Sequence, residues 1–300
     1  MSVPPLTATG WWDGPMLGFD LETTGKVALE DRPVSYCLAE VGGGRPPEIV
    51  HKIVNPERAI HPEATEIHGI TDDRARREGE PLADAVGYIL DRLSNASARG
   101  IPVVGMNLAY DLTMINHLSW ELRVPRTFAV NELGLVPAPC LDLMVIDKQI
   151  DPYRLTKSIG GRTLANICAH YGVAHPGAHD AQQDVLAACR VMWKIGRMSG
   201  AGEIKLHAFY EERRDSYNPP RHQYRGSAPW LHQFQAFRQI NGMNLEELHA
   251  AQVVWRNEQA RHLQEWLRAN EDAAAVVDPY WPVIPCGLED RDLYEEVAGR

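Results

Sequence analysis

Three apolar runs near the start of the chain carry the alternation and β-branched content of strands: Met16–Phe19, Val34–Val41 and Ile49–Val54. Gly42-Gly43-Gly44 marks a hairpin between the second and third. Beyond them the period lengthens. A helical pattern at about Pro81–Leu93 leads into the continuous run Ile101–Met106, which reads as a buried parallel strand, and then into a second helical pattern over Leu112–Leu122. Leu141–Ile146 predicts another strand, and Thr163–Tyr171 and Ala181–Met198 predict two more helices. The resulting order, β-β-β-α-β-α-β-α-α, belongs to the α/β class.

After Met198 the pattern changes, and Gly200-Ala201-Gly202 is the natural boundary. Tyr217–Pro229 is rich in Pro, Gly and Ser and predicts irregular backbone. From Lys205 to Arg238, Lys205, Arg213, Arg214, Arg221, Arg225 and Arg238 are interleaved with Tyr210, Tyr217, Tyr224, Trp230, Phe234 and Phe237. Such a stretch can track a nucleic-acid strand, or it is an ordinary packed extension with Arg stems lying over rings. Asn244 then caps a long helix to about Asn270, with Glu247 at the reciprocal position and an apolar stripe through Leu248, Ala251, Trp255, Leu263, Trp266 and Leu267. The expected division is residues 1–199, an Arg- and aromatic-rich linker at 200–243, and an α-helical C-terminal extension at 244–300.

Three hundred residues at 44% hydrophobic content allow one large core plus something smaller. Five cysteines without a C-x-x-C pair fit a reducing compartment and argue against a disulfide framework. Met1–Gly14 has neither a basic start nor an apolar centre, and no apolar run is long enough to span a bilayer. Cytoplasmic location without membrane contact is therefore expected. The eight tryptophans read as core or interface anchors.

The chemistry begins at Gly18–Glu22. Asp20 and Glu22 stand one residue apart at the end of an apolar strand, so they project from one face and repel each other unless a cation lies between them. Asp111 adds a third carboxylate at a strand-to-helix junction, after Asn107 and Tyr110. His179-Asp180-Ala181-Gln182-Gln183-Asp184 opens the last helix of the domain, with Asp180 as N-cap, Asp184 fixed in the first turn and His179 on the loop before it. Acids at strand ends also pair with Arg or cap helices, and Asp111 alone is open to that reading; Asp142 and Asp147 read as structural or as supports behind the ligands rather than as ligands themselves. His170, His175 and His179 suggest zinc, but no cysteine pair lies near them.

Taken together in register, Asp20-x-Glu22 with Thr23-Thr24-Gly25, Asn107-x-x-Tyr110-Asp111 and His179-x-x-x-x-Asp184 resemble the motifs of the DEDDh branch of the DnaQ-like 3′–5′ exonucleases. That group includes the proofreading subunit of bacterial replicative polymerases. His61–Thr71 looks like a further family segment beside the bound 3′ nucleotide, and Ala275–Pro282 resembles the C-terminal ends of actinobacterial members. The resemblance implies a ribonuclease H-like fold with a mixed five-stranded sheet flanked by helices. It implies two Mg²⁺ or Mn²⁺ ions held by Asp20, Glu22, Asp111 and Asp184, with Asp20 shared and Asp111 acting directly or through water. Two metals about 3.5–4 Å apart can activate water, neutralise phosphate oxygens and stabilise the leaving 3′-oxygen. It further implies His179 as general base, and Leu21, Thr23, Glu63, His68, Asn107 and Tyr110 as substrate contacts, with the Tyr110 ring against a base.

The expectation is a 3′–5′ exonuclease acting on DNA 3′ ends, single-stranded or mismatched, in proofreading, repair or degradation. The net charge of −10 predicts weak or partner-assisted DNA binding, with a polymerase or sliding clamp as the kind of partner implied. An RNA-directed relative such as an oligoribonuclease is the first alternative, disfavoured by Thr23, where those usually carry Met, and by the long extension. A polymerase- or repair-associated binding module is the second, disfavoured because all five catalytic positions are filled.

Overall fold

Strand β1 (Pro15–Thr23) is apolar on both faces up to Phe19, and that composition fits a central strand covered above and below. In the computed structural model, which describes residues 10–124, 139–152, 161–176, 180–212 and 229–284, it occupies the middle of a mixed sheet of order β4-β3-β2-β1-β5-β6. β2 (Pro33–Gly42) pairs antiparallel with β1, and β3 (Glu48–Asn55) antiparallel with β2. On the other side β5 (Val103–Gly105) runs parallel to β1, and β6 (Cys140–Asp142) parallel to β5. The sheet has six strands rather than the expected five, because Glu80–Pro81 forms β4, a two-residue strand parallel to β3 and too short to leave a period in the sequence.

Two short helices absent from the sequence reading, α1 (Pro62–His68) and α2 (Asp72–Glu78), follow β3. Pro62 starts α1 and Gly69, at φ 71°, ends it in the left-handed conformation. α3 (Leu82–Ala98) precedes β5, and α4 (Leu108–Glu121) follows it. The run expected as a strand at Leu141–Ile146 is mostly helix: β6 stops at Asp142, whose side chain accepts the Met144 amide and caps α5 (Leu143–Ile150). A short buried apolar run carries no period that separates strand from helix, so the cap decides. α6 (Leu164–Tyr171) and α7 (Ala181–Ser199) end near the expected boundaries. α7 lies across β1 and β2.

α7 approaches β1 closely because Gly18 has no side chain. A Cβ there would stand 2.4 Å from Val185 Cγ1 and 2.7 Å from Cys189 Sγ. Gly105 serves the same purpose between β5 and β1, where a Cβ would meet the Phe19 carbonyl at 2.7 Å.

The chain continues through α8 (Glu203–Glu211), α9 (Pro229–Asn241) and α10 (Leu245–Asn270). Arg213, Arg214, Tyr217, Arg221, Tyr224 and Arg225 lie outside the described residues. Of the other aromatics in that stretch, Tyr210 and Phe237 are buried and Phe234 packs on the core, so these rings are not free to stack on bases. α10 has the expected capping box at Asn244 and Glu247, but its buried face runs through Leu248, Gln252, Trp255, Gln259 and Ala260. Leu263 and Trp266, expected on the apolar stripe, are exposed.

Two glutamines sit on that face because α10 covers β6, the edge of the sheet. Gln252 accepts the Asp142 amide at 2.8 Å and donates to the Cys140 carbonyl at 2.9 Å, while His249 Nδ1 accepts the Cys140 amide at 3.0 Å. These side chains pair backbone groups that a neighbouring strand would otherwise pair. Gln252→Leu leaves two such groups buried without partners and is expected to lower unfolding stability by about 2–4 kcal/mol in urea titration, from roughly 1–3 kcal/mol for each. A loss under about 0.5 kcal/mol, the range of an ordinary surface change, would show that the edge does not depend on the helix.

Candidate active site

Alternation along β1 places Asp20 and Glu22 on the same face, the face on which α7 lies. Asp180 caps α7 by accepting the amides of Gln182 and Gln183, which puts Asp184 in the first turn at the positive end of the helix. The close contact at Gly18 brings that turn down onto the strand. Ligand oxygens of Asp20, Glu22 and Asp184 then lie within 4.8 Å of one another.

Asp111, the fourth expected ligand, is not in that group, although it stands near enough to raise Asp20. Asn107, in the left-handed conformation at φ 64° and ψ 44°, is the N-cap of α4, and Asp111 is buried in the first turn. The helix starts three residues before Asp111 because Leu108 and Ala109 belong to the core. Burial pushes the Asp111 carboxyl well above the ordinary carboxylate range, and the neighbouring Asp142 and Glu22 push it further, while hydrogen bonding at the backbones of Asp111 and Leu21 acts against them.

Asp20 is likewise raised, first by burial and then by Asp111, Glu22 and Asp184. Glu22 is raised from 4.5 to about 7 by burial, with Asp184 and Asp180 adding. Among the described residues no lysine or arginine pairs with Asp20, Glu22 or Asp184. The partner of Asp184 is His175, whose Nε2 lies 2.5 Å from Oδ1. Sequence reading placed His175 only in a zinc cluster, whereas the structure puts it behind a carboxylate, the usual place for a group that orients a ligand. His170 instead packs edge-on against Tyr171 and Phe209. His179 lies outside the described residues.

An all-oxygen, partly buried carboxylate set, in which burial and then neighbouring carboxylates raise Asp20 and Glu22, fits a hard divalent cation, which offsets that repulsion. Among the described residues no other group of three His, Cys, Asp or Glu side chains comes so close.

Beside the acids opens a cavity of about 870 Å³, lined by Glu22, Thr23, Glu63, His68, Asn107 and Tyr110 together with Lys26, Arg58 and His61. Leu21 is not among the lining residues, and its side chain is buried. The Thr23 hydroxyl is engaged within the cavity lining. It donates to the Gly25 carbonyl at 2.7 Å, as does the Tyr110 hydroxyl at 2.7 Å, and the two oxygens are 3.0 Å apart. Tyr110 is thus pinned by its hydroxyl, with burial raising it to about 12, and presents its ring. The Ile70 amide donates to His68 Nδ1, so Nε2 carries the proton and donates to the Thr23 carbonyl at 3.3 Å. Glu63 stands exposed in the first turn of α1, 3.3 Å from Lys26.

Sequence reading missed Asp31, which shapes the loop after β1. It accepts the Thr24 hydroxyl at 2.7 Å and the Val27 amide at 2.8 Å, and Gly25 fits only because a Cβ there would lie 2.5 Å from its carboxylate. No period or motif distinguishes it from other loop acids.

This chain is similar to parts of much larger proteins. DNA polymerase III PolC-type of Oceanobacillus iheyensis is 22% identical over 189 residues, covering 63% of this chain and 12% of that protein. The PolC-type polymerase of Halalkalibacterium halodurans is 20% identical over 195 residues, again covering 12% of its length. Among solved structures, Escherichia coli exonuclease I, in a zinc-bound complex with single-stranded DNA, matches with a TM-score of 0.50 at 19% identity, over 65% of this chain and 43% of that one. That likeness concerns the fold. The model of the RNase_T exonuclease family matches residues 17–192, more than half of the chain, and the chain belongs to this family.

Proposed function

We propose that the protein is a 3′–5′ exodeoxyribonuclease that hydrolyses the terminal phosphodiester of a single-stranded or mismatched DNA 3′ end and releases nucleoside 5′-monophosphates. The convergence of Asp20, Glu22 and Asp184 within 4.8 Å, beside a cavity walled by Tyr110 and His68, carries this reading. All catalytic groups fall in residues 1–199, with 200–243 as linker and 244–300 as extension. The proteins it resembles are named as polymerases and as an exonuclease bound to single-stranded DNA, which supports a DNA substrate and a place beside a polymerase.

Asp20, Glu22 and Asp184 would hold two Mg²⁺ or Mn²⁺ ions, with Asp111 contributing directly or through water. When bound, these cations neutralise charge on the non-bridging oxygens and the leaving 3′-oxygen. His175 orients the Asp184 carboxylate. His179, just before α7, takes the proton of the attacking water on its imidazole nitrogen. The ring of Tyr110, held by Gly25, sets one side of the terminal base, a contact worth roughly 1–3 kcal/mol. Glu63 and His68, which also line the cavity, lie near the 3′-hydroxyl and the last base.

Asp20→Asn and Asp184→Asn are expected to lower single-turnover hydrolysis of a short single strand roughly 1,000-fold, the loss of several kcal/mol of transition-state stabilisation. Without metal they should melt no lower than wild type, since each relieves repulsion. Appreciable Mg²⁺-dependent activity in either variant would remove these carboxylates from the site.

The wild-type rate at saturating metal should rise with pH through the titration of a histidine near 6.5 and then level off. His179→Ala should lose that rise and most of the rate. If it keeps both, another group is the base.

Glu22 gives a third test without catalysis. Its folded pKa, about 7, lies above the ordinary 4.5, so the folded state binds more protons between those values and the metal-free protein loses stability as pH rises through that window. Each unit corresponds to about 1.4 kcal/mol. Urea denaturation from pH 4.5 to 7.5 should show Glu22→Gln gaining on wild type as pH rises, with Mg²⁺ closing the gap. Parallel curves would mean that Glu22 is not under this repulsion.

A further inference from the structure

Among the described residues, the stretch farthest in sequence from Asp20 touches the corner that holds Asp111. Trp281 is 5% exposed, and its indole Nε1–H donates to Asp142 Oδ2 at 3.1 Å. The other oxygen of that carboxylate accepts the amide of Asn107 at 3.0 Å and the amide of Met144 at 2.9 Å. Asn107 is the left-handed residue that lines the cavity and starts the turn bearing Tyr110 and Asp111. Three residues beyond Trp281, the Ile284 amide donates to Thr113 Oγ1 at 2.8 Å, on α4 just past Asp111. Arg256 Nη2 donates to the Asp278 carbonyl at 2.9 Å and ties the start of the tail to α10. The tail is therefore fastened to α10, to the N-cap of α4 through Asp142, and to α4 itself through Thr113.

We infer that residues 278–284 form a positioning strap for the active-site corner, with Trp281 acting through Asp142 to fix Asn107 and hence Asp111. The inference rests on the reading of Asp20, Glu22, Asp111 and Asp184 as the catalytic site. A left-handed backbone at a non-glycine residue persists only where its surroundings over-determine it. Here the determinant is the Asp142 carboxylate, buried and able to hold its place only while all its donors are present. Removing the indole donor lets it turn toward the remaining amides, and the Asn107 corner turns with it. None of residues 278–284 lines the cavity, so the strap acts on geometry rather than on substrate contact.

Trp281→Phe keeps the ring and deletes the donor. In the full-length, metal-free protein, hydrogen exchange of amides 106–112 should quicken while that of β1 and β2 stays unchanged. On a short single strand with saturating Mn²⁺, kcat should fall about 10-fold, as for loss of other groups that orient a ligand, with KM within about two-fold. Thr113→Val deletes the acceptor for Ile284 without touching Asp142, and should give the same pattern in smaller degree. Ile240→Ala, buried on α9 and taking part in none of these hydrogen bonds, serves as the variant of reduced stability that leaves both readouts unchanged. Wild-type exchange at 106–112 and wild-type kcat in both Trp281→Phe and Thr113→Val would overturn the strap, as would Ile240→Ala reproducing the changes. Exchange is read without turnover, so an inactive wild type would sink the exonuclease reading while the strap is still judged.

Discussion

Mutual repulsion among carboxylates at the end of β1 is the constraint on which the rest of the site depends. Asp20, Glu22 and Asp111 are each driven toward their protonated forms first by burial and then by neighbouring carboxylates. A fold gathers such groups only if other contacts hold the elements that carry them. Gly18 and Gly105 supply the short approaches, α7 against β1 and β5 against β1, and the apolar core beneath supplies the attraction. The acids are thus held together by packing that does not involve them. A cation arriving there meets ligands already assembled, and folding has met the cost of assembling them in advance.

How much of this can be read from the residues follows from the range of each interaction. Asp20 and Glu22 are two positions apart on a strand, and Asp180 and Asp184 share one helix turn, so local periodicity and capping place them. β6 and α5 show the limit. Leu141–Ile146 is apolar throughout, and the strand ends only because the Asp142 carboxylate turns onto the Met144 amide, a choice reinforced by Trp281 from far along the chain. The left-handed backbone of Asn107 is invisible for the same reason: its partner Asp142 is remote in sequence. The Thr23 hydroxyl is engaged by Gly25 and lies 3.0 Å from the Tyr110 hydroxyl, contacts to residues that the motif spacing does not reveal. His179 and the arginines around 221–225 fall outside the described residues, so their expected roles rest on sequence and resemblance.

The helix α10 illustrates how hydrophobic patterning misplaces a face when the surface it covers is polar. Against an apolar core the stripe would continue through Leu263 and Trp266. Against a strand edge the useful side chains are those that both donate and accept, and Gln252 does both within one residue of β6. Gln259 repeats the device one helix segment on, donating to the Val145 carbonyl at 3.1 Å on α5. Amides on a helix face can therefore signal a sheet edge beneath, and here they join the C-terminal extension to the strand that carries Asp142.

The net charge of −10 extends into the cavity itself. Its lining holds Lys26 and Arg58 but also Glu22, Glu30, Asp31 and Glu63, with His61 3.8 Å from Asp31 and Lys26 3.3 Å from Glu63. Lys26 and Glu63 are both largely exposed, so their ion pair contributes little and Lys26 can exchange Glu63 for a phosphate. With the carboxylates bare, such a lining repels a polyanion, and divalent cations bound at Asp20, Glu22 and Asp184 would reverse that where cleavage is proposed. In the proposed reading the overall acidity therefore makes DNA binding depend on the metal that the reaction also requires.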